Sequence, residues 1–242
     1  MQLDRYSIAV RSVRAVGLGV LLCLVMPITA KADDADVERI TDSGNVLKEL
    51  LNASNGIPRD LLNKAECVIV LPSVKKGGFI VGAQYGKGLM TCRSGENFNG
   101  RWSAPIMMQS SGGSFGLQAG GEATDFVVLV MNDGGARAVM KGKAKLGADA
   151  SVAAGPVGRD AEASTNAVLS AQMLSYSRTK GVFGGLSLSG TSLGPDSGAN
   201  EKVYGKKIDG PEIFASEKPP AAASGLLATL TSASPASAHP KN

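Results

Sequence analysis

The chain of 242 residues has a single histidine, His239, near the end of an Ala/Pro/Ser-rich C-terminal stretch. A serine or cysteine nucleophile normally passes its proton to an imidazole, so histidine-dependent catalysis has no base in the body of the chain. Cysteine is scarce too. Cys23, Cys67 and Cys92 have no Cys or His neighbour at metal-ligand spacing, which excludes a zinc site. Long apolar runs are missing: the stretch 16–28 is shorter than the roughly 18–20 residues of a membrane span. A strong excess of charge is missing as well. The formal net charge is +4, but Arg5, Arg11, Arg14 and Lys31 lie in the first 32 residues against one acid, Asp4. The remainder is close to neutral, and no nucleic-acid partner is expected. What is present is an ordinary globular mixture, 43% hydrophobic and 19% charged, with 31 glycines, and this excludes bulk disorder.

The N-terminus reads as an export signal. Three arginines precede the apolar run, and Ala30-Lys31-Ala32 supplies the small-x-small pattern of signal-peptidase sites before an acidic Asp33-Asp34-Ala35-Asp36. Cleavage is expected after Ala32, with Ala30 as the alternative, giving an exported protein that is periplasmic or associated with an outer membrane. Cys23 does not mark a lipoprotein, because Leu22 stands where a small residue is required. Export places Cys67 and Cys92 in an oxidising compartment, where they form one bridge or remain two buried thiols.

Residues 36–52 put Val37, Ile40, Leu47, Leu50 and Leu51 on one helical face. Acids outnumber Arg39 and Lys48 on the rest of it, the wrong sign for lying on anionic lipid, so this helix is expected to pack on its own domain. Gly56-Ile57-Pro58 ends it, and Pro58 opens a short helix over 59–65. From Cys67 the pattern is β: segments 67–71, 78–85, 88–93, 106–109, 114–119 and 125–131 are bounded by Gly, Asn, Asp or Pro. Asn132-Asp133-Gly134-Gly135 reads as a hairpin turn. Residues 137–146 then read as a strand with Arg137, Val139, Lys141, Lys143 and Lys145 on one face. Residues 181–193 read as a small-residue strand, and 211–215 as a last helical turn. Glycines within strands, such as Gly82, Gly116 and Gly184, imply bulges and bending. The expected fold class is α+β, predominantly antiparallel β: a strongly curved, barrel- or sandwich-like sheet with N-terminal helices. It occupies 33–216, between a leader (1–32) and a flexible tail (217–242) whose Pro-, Ala- and Ser-rich composition is read as unable to order itself.

Catalytic and nucleotide motifs fail on inspection. Gly112-Gly113-Ser114-Phe115-Gly116 fits the spacing of a nucleophile elbow but has no histidine partner. Gly82-Ala83-Gln84-Tyr85-Gly86-Lys87-Gly88 has the wrong spacing for a phosphate loop and no Ser/Thr after the lysine. Asn132-Asp133 lacks the alternating carboxylates of a calcium loop, and Glu122 and Asp125 are too isolated to pair as acid and base. No cofactor or metal is expected. Lys75-Lys76-Gly77-Gly78 is read either as a solvated turn or as a phosphate grip, in which ammonium groups stand beside unshielded backbone N–H donors. Gly155-Pro156-Val157-Gly158-Arg159 is read either as a tight turn or as a loop presenting one arginine to a ligand.

Several glycine-centred motifs occur in a fixed order: Gly78-Phe79 with Gly82 and Tyr85-Gly86, Trp102-Ser103-Ala104-Pro105, and Gly116-Leu117-Gln118-Ala119-Gly120 with Thr124-Asp125. They continue with Ala154-Gly155-Pro156-Val157-Gly158-Arg159, Tyr176-Ser177-Arg178-Thr179-Lys180-Gly181 with Phe183 and Gly185, and Asn200 with Tyr204-Gly205. Over 37–215 the chain resembles the SYLF domain family. The resemblance implies binding of membrane lipids, with phosphoinositides and other anionic lipids preferred among eukaryotic relatives, actin binding and bundling in fungal ones, and no catalysis. Actin is not expected as a partner of an exported protein. Phosphoinositides are scarce in bacterial envelopes, so the expected ligand is another anionic phospholipid or a lipid A-type phosphate.

The expected lipid-binding residues are Lys75, Lys76, Lys141, Lys143, Lys145, Arg159, Arg178 and Lys180, with Tyr176 or Phe183 at the headgroup boundary. Each cation near an anionic leaflet contributes about 1 kcal/mol. The alternative is a structural or protein-interaction domain of the envelope, with an envelope protein as partner. The lipid reading requires these cations to converge on one surface.

Overall fold

The run Cys67-Val68-Ile69-Val70-Leu71 is apolar at every position because its strand lies at the middle of a sheet covered on both faces. A computed structural model describes residues 34–78, 81–115, 122–142, 144–147, 151–156, 170–179, 182–184, 188 and 190–239. Along the chain these form α1 (Asp34–Asn52), α2 (Arg59–Lys64), β1 (Cys67–Gly78), β2 (Val81–Cys92), β3 (Ile106–Phe115) and β4 (Glu122–Val130). There follow α3 (Asp133–Met140), β5 (Ala144–Lys145), β6 (Val152–Ala154), β7 (Met173–Thr179), β8 (Val182–Gly184) and β9 (Thr191–Pro195). The chain continues with α4 (Ser197–Tyr204), α5 (Gly210–Ser216) and α6 (Ser224–Ala233). The strands make one curled sheet in the order β5-β9-β3-β2-β1-β4-β7-β6, with β8 also on β7. Every pairing is antiparallel except β6 with β7. The expected α+β class with a curved, mainly antiparallel sheet and N-terminal helices is what the chain adopts.

Alternation along the strands divides the core into two layers. Ile69, Met90, Met108, Phe126, Val128 and Val130 face α3 and α5, while Val68, Val70, Leu89, Met107, Val127 and Leu129 face α1, α2 and α6. The expected packing of α1 on its own domain is seen, since Ile40, Leu47 and Leu50 are buried in the second layer; Val37 remains exposed. One extra residue in β1 relative to both β2 and β4 shifts the register around Pro72-Ser73. Ser73 adopts φ 50° there, and its amide donates to Asp125 Oδ1 at 2.8 Å. A proline inside a central strand is tolerated at such a bulge, which also bends the sheet. Cys67 and Cys92 stand directly opposite each other on β1 and β2 and form a disulfide.

Four local expectations are corrected. Within 78–93, Gly78 ends β1 and residues 81–92 are one strand, β2, and within 181–193 the described residues form β8 and the start of β9. Residues 132–140 are a cap and a helix, not a hairpin turn and strand: the Asn132 side chain accepts from the Gly135 amide, and Ala136, Val139 and Met140 form the buried face. The alternating cationic face over 137–145 therefore does not exist. The segment after 217 is ordered as far as His239, because Ala223, Leu226, Leu230 and Ala233 bury against α1. Composition underrated it, since apolar residues at i, i+4 and i+7 suffice when a partner helix is waiting. Among the described residues no helix is long and apolar enough to cross a membrane. The leader, Lys143, Arg159, Lys180 and the motif 116–120 lie outside the described residues.

Candidate functional site

Beyond the extra residue in β1, Lys75 stands opposite Tyr85 of β2. Both are exposed, Tyr85 to 47%. They line an open cleft of about 310 Å³ between the N-terminal half of α1 and the β1–β2 hairpin. Arg39 and Asp42 of α1 form its opposite wall, and Lys87, two residues beyond Tyr85, its floor. Asp196, the N-cap of α4, organises these charges. It accepts from the Ala199 amide at 3.2 Å and pairs with Lys87 at 2.8 Å and Arg39 at 3.4 Å, while Arg39 also meets Asp36 at 2.9 Å. Burial alone would raise the Asp196 carboxyl, but the Lys87 and Ala199 hydrogen bonds and the neighbouring cations hold it below its ordinary value. The bond to Asp196 in turn raises Lys87. Among the described residues Lys75 has no ion-pair partner, and the carboxylates of Glu38 and Asp42 that line the same cleft have none either.

Among the described residues, Lys75, Lys76, Lys141, Lys145, Tyr176 and Arg178 of the expected set do not share one surface. Lys76 lies on the other face of the sheet, its ammonium 5.1 Å from the centroid of the Phe126 ring. Lys141 caps the C-terminus of α3 and Lys145 lies in the edge strand β5, four places from β1 in the sheet; both are exposed. Arg178 does not project to solvent as a free cation: its Nε donates to Asp125 Oδ2 at 2.9 Å, and its guanidinium also pairs with Glu49 of α1. Burial keeps the Asp125 carboxyl above its ordinary range, against the Ser73 amide, with Asp42 adding to the rise. Tyr176 cannot sit at a headgroup boundary, because it is fully buried beneath Gly155, where a Cβ would come within 2.2 Å of the ring. Its hydroxyl has no hydrogen-bond partner among the described residues, and burial raises its pKa far above that of a free tyrosine.

The sequence reading missed Tyr85 and Lys87, although the alternation Tyr85-Gly86-Lys87 would have placed both on one face. Arg39 and Asp196, 157 residues apart, left no local signal.

The family model described as "Ysc84: Las17-binding protein actin regulator" matches residues 111–233. An SH3 domain-containing protein of Schizosaccharomyces pombe is 34% identical over 211 residues, 86% of this chain and 48% of the relative. LAS seventeen-binding protein 3 of Saccharomyces cerevisiae is 30% identical over 86% of this chain and 45% of its own length. The human SH3 domain-containing YSC84-like protein 1 is 33% identical over 198 residues, 78% of this chain and 57% of its own. The chain spans about half the length of the curated relatives it matches. These relatives are named for binding and regulation, not for an enzymatic reaction. With motifs, curled sheet and family model in agreement, the chain belongs to the Ysc84 family of SYLF-domain proteins.

Proposed function

We propose that this protein is a non-catalytic module that binds anionic lipid headgroups at a membrane surface of the cell envelope. The observation that carries the reading is the Lys75–Tyr85 pair, an uncommitted ammonium facing an exposed aromatic at the mouth of a cleft of about 310 Å³. A space of that size suits a small polar group, and a tyrosine beside a cation suits a boundary between apolar chains and phosphate. Membership of the SYLF family supports lipid binding, and the Cys67–Cys92 disulfide supports export to an oxidising compartment. The Las17 and actin partners in the family description belong to longer proteins and are not part of the proposal.

Flotation of the chain with neutral and with anionic phospholipid vesicles, at low and high salt, tests it. Selective binding to the anionic vesicles that weakens with salt is expected. Lys75→Ser should lower that binding about fivefold, the equivalent of about 1 kcal/mol for one surface cation. Lys141→Ser with Lys145→Ser should change it less. Equal binding to both vesicle types would overturn the reading.

A further inference from the structure

Arg93 is a cation that the fold buries completely, and among the described residues no carboxylate lies within ion-pair distance of it. Its guanidinium stacks over the Trp102 ring, 4.5 Å from the centroid. Its Nε donates to the Ala65 carbonyl at 3.3 Å, and its Nη2 donates to the carbonyl and hydroxyl of Ser234 at 3.3 and 2.6 Å. Nη1 meets no acceptor among the described residues. Desolvation without a counter-ion lowers the guanidinium to about 10. Two further donors converge on the same place: Trp102 Nε1 reaches the Ser234 carbonyl at 3.0 Å, and Arg59 Nη1 the Ala233 carbonyl at 3.2 Å. Two guanidinium groups and an indole N–H thus grip the C-terminal end of α6, where the helix dipole gathers partial negative charge. A buried cation is poorly served by neutral oxygens, and an ionised oxygen makes roughly twice as strong a hydrogen bond to it.

The segment that supplies those oxygens packs its apolar side on α1, and its polar contacts to α2 include Ser234 Oγ donating to Asn63 Oδ1 at 2.7 Å. It follows Pro219-Pro220, packs on α1, and ends with His239 Nδ1 at 2.7 Å from the Asn63 carbonyl. An open space of about 340 Å³ between α1 and α6, lined by Lys48, Arg59 and Ser232, leads toward the gripped carbonyls.

We propose that Arg93, Arg59 and Trp102 form an oxyanion-recognition site which residues 233–234 occupy in the closed molecule, and that a phosphate ester enters it by displacing the strap 221–239. The site lies beside the C-terminal half of α1, apart from the Lys75 cleft, and goes beyond the function proposed above. The ligand is a phosphate carried by a membrane lipid or by a soluble molecule.

Trp102 is the only tryptophan in the chain, so its fluorescence reports the site directly. The full chain is titrated with soluble glycerol phosphate and, separately, with phosphatidylglycerol vesicles, at constant ionic strength. A saturable change in Trp102 emission with either probe is expected, and the responding arm identifies the source of the phosphate. A second variant locks the strap. A Cβ built on Gly44 stands 3.6 Å from Leu226 Cβ, within the range a disulfide spans, so oxidised Gly44→Cys/Leu226→Cys should abolish the response while the two single variants keep it. Arg59→Gln, at an exposed position, should weaken binding about tenfold with the fold intact. Lys75→Ser should leave the response to glycerol phosphate unchanged, separating this site from the cleft. Absence of a response to both probes in the native chain, or an equal response in the locked variant, would overturn the proposal.

Discussion

At the scale of single residues, two buried groups oppose each other in their dependence on pH. Glu66, 6% exposed at the start of β1, has its pKa raised to about 7 by burial, with Asp133 of α3 adding repulsion and a hydrogen bond and Arg137 opposing the rise. The unfolded chain loses this proton near 4.5 and the folded chain near 7, so the folded form binds more protons between those values and stability falls as pH rises through them. Unfolding free energies from denaturant titrations at pH 5 and pH 8 should differ by on the order of 2 kcal/mol from this source, and Glu66→Gln should remove the difference. His239 behaves in the opposite sense. Burial lowers its pKa, with Arg93 assisting and the Asn63 carbonyl opposing, so its contribution is complete above 6.5 and is lost as pH falls below it. Protection factors of the amides of 224–239, corrected for the intrinsic exchange rate at each pH, should fall below pH 6 before those of the sheet do. Tyr176→Phe removes a buried hydroxyl that has no partner among the described residues, so the melting temperature should hold or rise and vesicle binding should not change.

At the scale of elements, α1, α2 and the run 67–71 were legible because each carries its signal locally, as a helical stripe, a proline start or an unbroken apolar stretch. The segment after Val130 was not. Its cationic residues alternate along the chain and suggested a strand, yet Asn132 and the spacing of Ala136, Val139 and Met140 were a helix signature, and the cap prevailed. Asn132→Ala should cost about 1 kcal/mol in the denaturation midpoint. α6 was hidden for a different reason, because its few leucines have value only against α1. Spacing left the state of the two cysteines open, and pairing them required knowing that β1 and β2 are neighbours in that register. Cys67→Ser with Cys92→Ser should lower unfolding stability by roughly 2–4 kcal/mol, measured against the oxidised protein.

At the scale of the whole molecule, the class of fold could be read from the spacing of short apolar segments, but the distribution of charge could not. Lys75 and Lys76 are adjacent in sequence and lie on opposite faces of the sheet, whereas Arg39 and Asp196 are far apart and touch. Which cations remain available is decided by long-range pairing, as with Arg178 between Asp125 and Glu49. Among the described residues, two open spaces flank α1, one beside its N-terminal half and one beside its C-terminal half.

The irregularity at Pro72-Ser73 bears on how this cleft tolerates changes in chain length. Because β1 carries one surplus position against both neighbours, a molecule lacking Ser73 would still set Lys75 across from Tyr85, on a straighter strand. Asp125 would lose the amide it receives there and lean more heavily on Arg178. The surplus residue bends the strand beside the cleft and leaves unchanged which ammonium group stands there.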